Sequence, residues 1–259
     1  MAACVDVRES GRHAVVTLNL PEKRNPISAA MRTALMQALE GLRAKSRVRA
    51  VVITGAGSAF CSGLDLAAFA EQQRLPAEMQ RADSQSIADF FEYIYRYPLP
   101  TIAAVNGPAT AGGAGLALLC DLTFMAESAY LCFSEVRIGF VPALVGVYLS
   151  RQAGPKVARD LLLTARRVGA AEALQLGLVQ RVETNGNLLR SAEDSAEEIG
   201  QWAPEAVKKT KGLLLESADD TWPAGLKKAV EVNAATRLSD ECKEGVAAFL
   251  ERRPPHWLA

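Results

Sequence analysis

The chain has 259 residues, 49% of them apolar, which is enough to build a substantial hydrophobic core. Lys and Arg together number 29, as do Asp and Glu, so the zero net charge offers no overall basic field to attract nucleic acid. No apolar run reaches the roughly 18 residues that a membrane span requires. We therefore expect neither nucleic acid nor a membrane as a partner.

The cysteines and histidines indicate which kinds of site the chain can form. The five cysteines show no Cys-x-x-Cys spacing, and the two histidines, His13 and His256, lie far apart in the sequence. Scattered cysteines in odd number are typical of reduced thiols in an intracellular protein. Two distant histidines argue against a metal site or a histidine-based triad. The first ten residues also lack the apolar stretch of a signal peptide, so we expect a cytoplasmic protein.

Taken in chain order, the hydrophobic patterns predict strands and helices alternating in the first part of the chain. The predicted strands are residues 13–20, 49–54, 101–105, 121–126, 130–133 and 178–182. The predicted helices of this part are residues 28–44, 86–97, a short one ending near 119, 142–152, 156–164 and 170–176.

Two further segments differ from this alternation. Residues 71–84 are polar without clear periodicity, and we expect a mobile cover over a pocket there. After residue 187 every pattern predicts helix, over residues 188–202, 204–217, 222–237 and 239–252. The prediction is an α/β protein with a core of residues 1–187 and a helical C-terminal region of residues 188–259.

Two small-residue turns, residues 54–66 and 105–116, each follow a β-branched apolar run and lead into a helical pattern. A strand that turns directly into a helix leaves backbone N–H groups without partners, and the helix dipole favours negative charge there. Two such turns facing each other would hold one oxyanion between two N–H donors. Either turn alone more often reflects close strand–helix packing, and it is the pair in this order and spacing that favours an oxyanion site. Neither turn matches a dinucleotide or phosphate-loop motif.

Five motifs resemble the crotonase, or enoyl-CoA hydratase/isomerase, superfamily. In chain order they are residues 21–28, 59–66, 106–116, 133–139 and 249–254. They span nearly the whole chain, and they are specific for the superfamily but much less so for the reaction. The resemblance implies a spiral of ββα units, a helical trimerisation region, and a homotrimer or homohexamer. It also implies a coenzyme A thioester as substrate, with no separate cofactor.

The resemblance also implies roles for particular residues. By position in the motifs, the backbone N–H groups of Leu64 and Gly112 are the oxyanion donors, in agreement with the two turns. Glu135 takes the place of a catalytic carboxylate, although a surface ion pair with Arg137 or another neighbour is the alternative. Asp65 is better explained as a helix N-cap than as a catalytic residue.

One departure from the family pattern bears on the reaction. Hydratases of the family usually carry a second glutamate at the position of Gly115, and some branches place an acid at that of Ala143. A single carboxylate suffices to move a double bond, whereas adding water is helped by two. The single carboxylate favours an isomerase, whereas hydratases are more frequent in the family. The predicted function is an enoyl-CoA hydratase, with a Δ3-Δ2 enoyl-CoA isomerase as the alternative. A non-catalytic acyl-CoA binding protein is a second alternative, since a fold alone does not define a function.

The remaining assignments from the resemblance concern substrate binding. The basic pair Lys23 and Arg24 is expected near the CoA phosphates, although a solvated loop is the alternative. Phe249 is expected to close over the CoA arm, with plain helix packing as its alternative. Further predicted positions along the CoA and acyl channel are Ala59, Leu64, Leu66 and Gly113, with Phe69, Phe90, Phe91, Val141 and Leu144 as candidates for the acyl pocket wall.

Overall fold

Residues 4–258, which the computed structural model describes, contain nine strands and ten α-helices. The strands are β1 (Val5–Ser10), β2 (His13–Leu18), β3 (Ala50–Gly55), β4 (Thr101–Val105), β5 (Ala109–Thr110), β6 (Leu122–Ala126), β7 (Tyr130–Cys132), β8 (Arg167–Gly169) and β9 (Arg181–Glu183). The helices are α1 (Ala29–Arg43), α2 (Leu66–Gln72), α3 (Ala77–Tyr95), α4 (Gly112–Leu119), α5 (Ala143–Thr164), α6 (Ala170–Gln175), α7 (Leu188–Gly200), α8 (Pro204–Ser217), α9 (Trp222–Leu238) and α10 (Asp240–Glu251).

The strands form two sheets. The larger has the order β1-β2-β3-β4-β6-β9, and the smaller has the order β5-β7-β8. In the larger sheet β1 runs antiparallel to β2, and every other pair is parallel. Every residue of β3 and β4 is buried, which explains why their sequences are continuous apolar runs rather than alternating ones. The carboxyl ends of these two central strands therefore lie side by side, and both glycine-rich turns start there.

Helix boundaries follow from local chemistry. The Ser28 side chain accepts a hydrogen bond from the Met31 N–H and caps α1. Asp65 accepts hydrogen bonds from the N–H groups of Ala67 and Ala68, so it is the N-cap of α2, as predicted. Helix α5 is kinked where Gly154 has a φ of 78° and Pro155 follows, which matches the two separate helices expected from the sequence.

The structure differs from the sequence prediction at several elements. Strand β1 was not predicted, because it is a polar edge strand with little apolar content that is held by backbone pairing to β2. The short strands β5 and β8 were also missed. The strand expected at residues 178–182 is β9, which begins at Arg181.

The expected cover of residues 71–84 is mostly helical, since α2 ends at Gln72 and α3 begins at Ala77. The first turns of α3 bury no apolar residue and show no hydrophobic period. Its buried residues begin at Ile87, and an ion pair between Arg32 and Asp83 at 2.9 Å joins its exposed half to α1.

The last four helices fall into two groups. Helix α7 packs on β2, β3 and β4 and buries six of its residues, so it completes the core. Helices α8 and α9 contain no buried residue, and α10 buries only Ala248. The division of the chain at residue 187 stays a prediction. Helix α7 belongs to the predicted C-terminal region but packs against the large sheet.

Candidate active site

The two glycine-rich turns interlock at the carboxyl ends of β3 and β4. The Thr110 N–H donates to the Cys61 carbonyl at 2.9 Å, and the Phe60 N–H donates to the Pro108 carbonyl at 3.1 Å. A Cβ on Gly113 would lie 2.3 Å from the Cys61 carbonyl oxygen, so only glycine allows the start of α4 to approach the first turn this closely. The turns are therefore held in one fixed arrangement by backbone contacts.

This arrangement leaves two N–H groups without acceptors. Gly63 has a φ of 82°, a value that glycine adopts readily, and it directs the chain into Leu64. Ala111 has a φ of 50° and a ψ of −126°, a strained conformation for a residue with a side chain, just before Gly112. Within residues 4–258 neither the Leu64 N–H nor the Gly112 N–H donates a hydrogen bond to a protein group. Both residues line the same cavity, which makes these N–H groups suitable donors to an oxyanion.

The cavity has a volume of about 350 Å³ and an apolar wall. It lies between the two turns, helices α2 and α3, and the segment from β7 to the start of α5. Its lining residues are Ser62, Leu64, Leu66, Phe69, Ser84, Ile87, Phe91, Ala111, Gly112, Ser134, Glu135, Ile138, Phe140, Val141, Pro142, Ala143, Leu144 and Val145. Among these described residues, Glu135 is the only one with an ionisable side chain.

Glu135 is held in the cavity wall by a short 3₁₀ turn, Glu135–Ile138, that directly follows β7. The residue is 7% exposed, and burial raises the pKa of its carboxyl group, an effect that a hydrogen bond from its own backbone N–H partly offsets. Its Oε2 atom is buried and has no hydrogen-bond donor within the described part of the chain. An unpartnered buried carboxylate oxygen destabilises the fold, so its retention points to chemistry.

The alternative explanation of Glu135 as a surface ion pair does not hold. Arg137 donates a hydrogen bond to the Ala165 carbonyl, and residues 4–258 contain no ion pair between Glu135 and Arg137. The 3₁₀ turn places the two side chains in different surroundings, one facing the cavity and the other facing the loop before β8.

The position of the missing second carboxylate is filled. A Cβ built on Gly115 would lie 2.7 Å from Val145 Cγ2 and 3.4 Å from Phe91 Cε2. Val145 is 4% exposed and Phe91 is 2% exposed, so both side chains are buried in the cavity wall beside residue 115. The departure from the usual hydratase pattern is thus accompanied by tight apolar packing at residue 115. Ala143, the other position considered for an acid, lies on the cavity wall.

The residues predicted to bind coenzyme A lie in different places. Leu66 lines the cavity mouth and is 58% exposed. Lys23 and Arg24 are exposed and lie beside that mouth, where the Arg24 carbonyl accepts a hydrogen bond from the N–H of the lining residue Ser62 at 2.9 Å. Within residues 4–258 neither basic side chain forms an ion pair. Phe249 on α10 is 83% exposed and does not line the cavity.

Three other predicted residues lie behind the cavity wall. Ala59 is 2% exposed and its carbonyl accepts a hydrogen bond from Asn25 Nδ2 at 2.9 Å, so it belongs to the interlocked turns. Gly113 is buried against Cys61. Phe90 is 1% exposed in the core and does not line the cavity. The other proposed wall residues, Phe69, Phe91, Val141 and Leu144, do line the cavity.

Two asparagines hold the turns together, and the sequence analysis assigned them no role. Asn25 is fully buried with a φ of 53°, and its side-chain amide donates to the carbonyls of Ala56, Ala59 and Phe60. Asn106 joins the two turns. Its Oδ1 accepts from the Gly55 N–H at 3.1 Å, and its Nδ2 donates to the Gly57 carbonyl at 3.1 Å. An asparagine beside proline or glycine in a loop is the available signal, since its amide replaces missing backbone partners.

In the described part of the chain, no three His, Cys, Asp or Glu side chains are grouped so that they could hold a metal ion. Burial raises the pKa of Cys61, beside the cavity, to about 12, so its thiol is protonated at neutral pH. None of the helices within residues 4–258 has the length and apolar character needed to cross a membrane.

The fold and the cavity define an α/β protein with two backbone N–H groups and one buried acid at the same cavity. Comparison with known proteins places it more narrowly. Residues 9–259 match the family model described as Enoyl-CoA hydratase/isomerase, and the chain belongs to this family. The predicted crotonase-like α/β fold is confirmed by the solved structures that it resembles.

The most informative relatives cover almost the whole chain. A Thermus thermophilus protein provisionally named as an enoyl-CoA hydratase is 50% identical over 249 residues, which is 96% of this chain and 98% of the relative. Enoyl-CoA hydratase EchA19 of Mycobacterium tuberculosis is 33% identical over 97% of this chain and 95% of its own. The crystal structure of an enoyl-CoA hydratase from Mycobacterium smegmatis matches with a TM-score of 0.92 at 33% identity, covering 99% of each chain. A Polaromonas enoyl-CoA hydratase structure also matches with a TM-score of 0.92, at 31% identity, covering 97% of this chain and 98% of its own.

Proposed function

We propose that this chain converts enoyl-CoA thioesters through an enolate, with Glu135 as its single acid/base group. The observation that carries the proposal is the buried, unpartnered Oε2 of Glu135 in the same cavity as the free N–H groups of Leu64 and Gly112. The thioester oxygen would accept hydrogen bonds from both donors. They stabilise its negative charge in the enolate more than the neutral carbonyl, and each such donor is typically worth about 100- to 1000-fold in rate.

Hydration of a 2-enoyl thioester is the first candidate reaction. In this reaction Glu135 accepts a proton from water as the water oxygen bonds to C3, and the C2=C3 electrons move to form the enolate. Glu135 then returns that proton to C2, and the carbonyl is restored. The names of the relatives support this candidate. Burial raises the pKa of Glu135 above its ordinary value, which makes its carboxyl group a better proton acceptor than an exposed carboxylate.

Migration of a double bond is the second candidate, and the packing around Gly115 favours it. Here Glu135 removes a proton from C2 of a 3-enoyl thioester to form the conjugated enolate. It then delivers the proton to C4 while the double bond shifts to C2=C3. This path needs one carboxylate and no water, which agrees with a cavity that has one ionisable side chain among its described lining residues.

The coenzyme A part of the substrate would enter past Leu66. Lys23 and Arg24 are free cations beside the cavity mouth, and basic side chains suit phosphate groups. Phe249 does not line the cavity of its own subunit, so its expected role over the CoA arm would be played at a neighbouring subunit.

We also propose a homotrimer or homohexamer. Helices α8 to α10 carry several large apolar side chains on their surface, among them Leu226, Val230 and Leu250, which are 56%, 57% and 74% exposed. Exposed apolar faces of this extent are typical of subunit interfaces.

The five free thiols are consistent with a reducing compartment such as the cytoplasm.

A spectroscopic assay separates the candidate reactions. Purified protein would be incubated with crotonyl-CoA and with a 3-enoyl-CoA, and the absorbance of the conjugated enoyl thioester would be followed. Loss of absorbance with crotonyl-CoA indicates hydration, and gain with 3-enoyl-CoA indicates isomerisation. Glu135→Gln should abolish either activity, whereas Glu127→Gln, at an exposed glutamate outside the cavity, should not. A wild-type protein that binds both thioesters and converts neither would contradict the proposed function.

A further inference from the structure

The wall of the cavity on the α4 side is built by two side chains that cover two glycines. Gly112 and Gly115 lie three residues apart on α4 and therefore share a face of the helix. Phe91 spans both of them, because its Cζ lies 3.6 Å from a Cβ built on Gly112 and its Cε2 lies 3.4 Å from one built on Gly115. A side chain at residue 115 would therefore point to the same side as the oxyanion donor, between Phe91 and Val145.

Val145 is the side chain that closes this space. Its Cγ2 lies 2.7 Å from the Cβ position of Gly115, closer than real Cβ contacts allow, and its Cγ1 lies 3.4 Å away. Val145 is buried on α5, and it lines the cavity together with Glu135. Its β-branched side chain has one strongly preferred rotamer in a helix, so it cannot easily turn aside.

We propose that Val145 is a specificity-determining residue that selects between the reactions of this cavity. It excludes any side chain from residue 115 and presents methyl groups where a second polar group would otherwise hold a water against the acyl chain. The proposal rests on the proposed function, since it assumes that Glu135 and the oxyanion donors act on an enoyl thioester. Under it, the wild-type cavity disfavours hydration relative to proton transfer between C2 and C4.

The packing part of the proposal can be tested without any activity. Gly115→Ala should lower Tm by roughly 5 °C, because overpacking a tight site is destabilising. In a Val145→Ala background the same substitution should lower Tm by less than half as much. Gly41→Ala on α1, where a Cβ meets nothing within 4 Å, is the matched control and should not lower Tm. Equal losses in both backgrounds would overturn the assigned role of Val145.

The reaction part uses the double variant Gly115→Glu with Val145→Ala. Its ratio of crotonyl-CoA hydration to 3-enoyl-CoA isomerisation should rise at least about tenfold above that of Val145→Ala alone, because a second carboxylate can then hold the water. Gly115→Glu with Leu144→Ala is the control, since Leu144 lines the cavity but is not among the nearest neighbours of residue 115. An equal rise in the control, or no rise in a folded double variant, would overturn the proposal.

The outcomes separate this inference from the function on which it rests. If Glu135→Gln keeps wild-type activity, the proposed function fails whatever the Gly115 variants show. If Glu135→Gln is inactive and the ratio of the two reactions does not respond to Val145, the function stands and the role of Val145 fails. Should the double variant not fold, Val145→Ala alone decides the question. It opens the wall to water and should raise the same ratio above that of the wild type, and an unchanged ratio would overturn the proposal.

Discussion

The small residues of the interlocked turns pack closely within the chain, whereas large apolar residues of the C-terminal helices are exposed. In the turns, Gly113 and Asn106 both contact other residues of the chain, and a methyl group added at Gly113 would overlap the backbone of Cys61. On α8 and α9 no residue is buried, and large side chains such as Trp222, 83% exposed, face outward. The chain thus determines the geometry of its site by itself. The large apolar side chains of α8 and α9 are left uncovered by the rest of residues 4–258.

The largest expected effect is at Glu135. Glu135→Gln removes the proposed acid/base group while keeping its size, and we expect kcat to fall by about 100- to 10,000-fold. Because the amide is isosteric, the urea midpoint should change little and the oligomeric state should not change. Steady-state kinetics and sedimentation on the same preparation test both expectations. If the variant lost activity only because it dissociated, the activity of the site would depend on the contacts of the C-terminal helices.

The next effect contrasts one glycine in each region. Gly113→Ala would place a Cβ 2.3 Å from the Cys61 carbonyl oxygen, and we expect a loss of about 3 kcal/mol in the free energy of unfolding. Gly212→Ala on α8 meets nothing within 4 Å and should gain about 0.5–1 kcal/mol from helix propensity. Urea unfolding measures both. Similar values for the two variants would contradict the view that only the turns are tightly constrained.

A third experiment tests the unpartnered helices. Leu226→Lys with Val230→Lys on α9 should weaken subunit association by roughly 2 kcal/mol, because two apolar contacts would be lost and charges buried. Leu163→Lys on α5, at a residue that is 75% exposed, is the matched control and should leave association unchanged. Sedimentation velocity over a concentration series gives the comparison. A monomer that behaves identically with and without the α9 substitutions would refute the assembly proposal.

The smallest effect is a pH dependence of stability that originates at Glu135. Burial raises the pKa of this carboxyl in the folded state, so the folded protein binds more protons than the unfolded chain between the ordinary and the raised pKa. The free energy of unfolding should therefore fall as pH rises through that window, starting near about pH 4.3. The difference between wild type and Glu135→Gln, measured by urea unfolding at several pH values, isolates this slope. A difference that is flat or rises with pH would mean that Glu135 is not desolvated.

The class of the fold and the order of most elements could be predicted from local patterns in the amino-acid sequence. Apolar runs and helical periods predicted β2, β3, β4 and the helices after residue 187, and the kink at Gly154 was visible as a Gly-Pro pair. These features are local, because burial on both faces of a strand and backbone restrictions are encoded in consecutive residues. The same local signal is weak in β1 and in the first half of α3, which bury little.

The candidate site was partly visible in the same way. The small residues of the two turns pointed to an oxyanion site, and the family motifs pointed to Leu64, Gly112 and Glu135. The presence of these three residues at one cavity needed the parallel pairing of β3 with β4 and the return of the chain after β7. The assignments to Ala59, Gly113 and Phe249 as substrate contacts remain predictions that the cavity lining does not support.

The residues that surround Glu135 could be identified only from the tertiary structure. The sequence showed a glycine at residue 115, but not that Val145 and Phe91, from two other helices, fill the space beside it. It showed Glu135 next to Arg137, but not that one is buried without a partner while the other binds the Ala165 carbonyl. Burial and packing depend on residues far apart in the chain, so the pKa of Glu135 and the shape of the cavity exist only once the chain has folded.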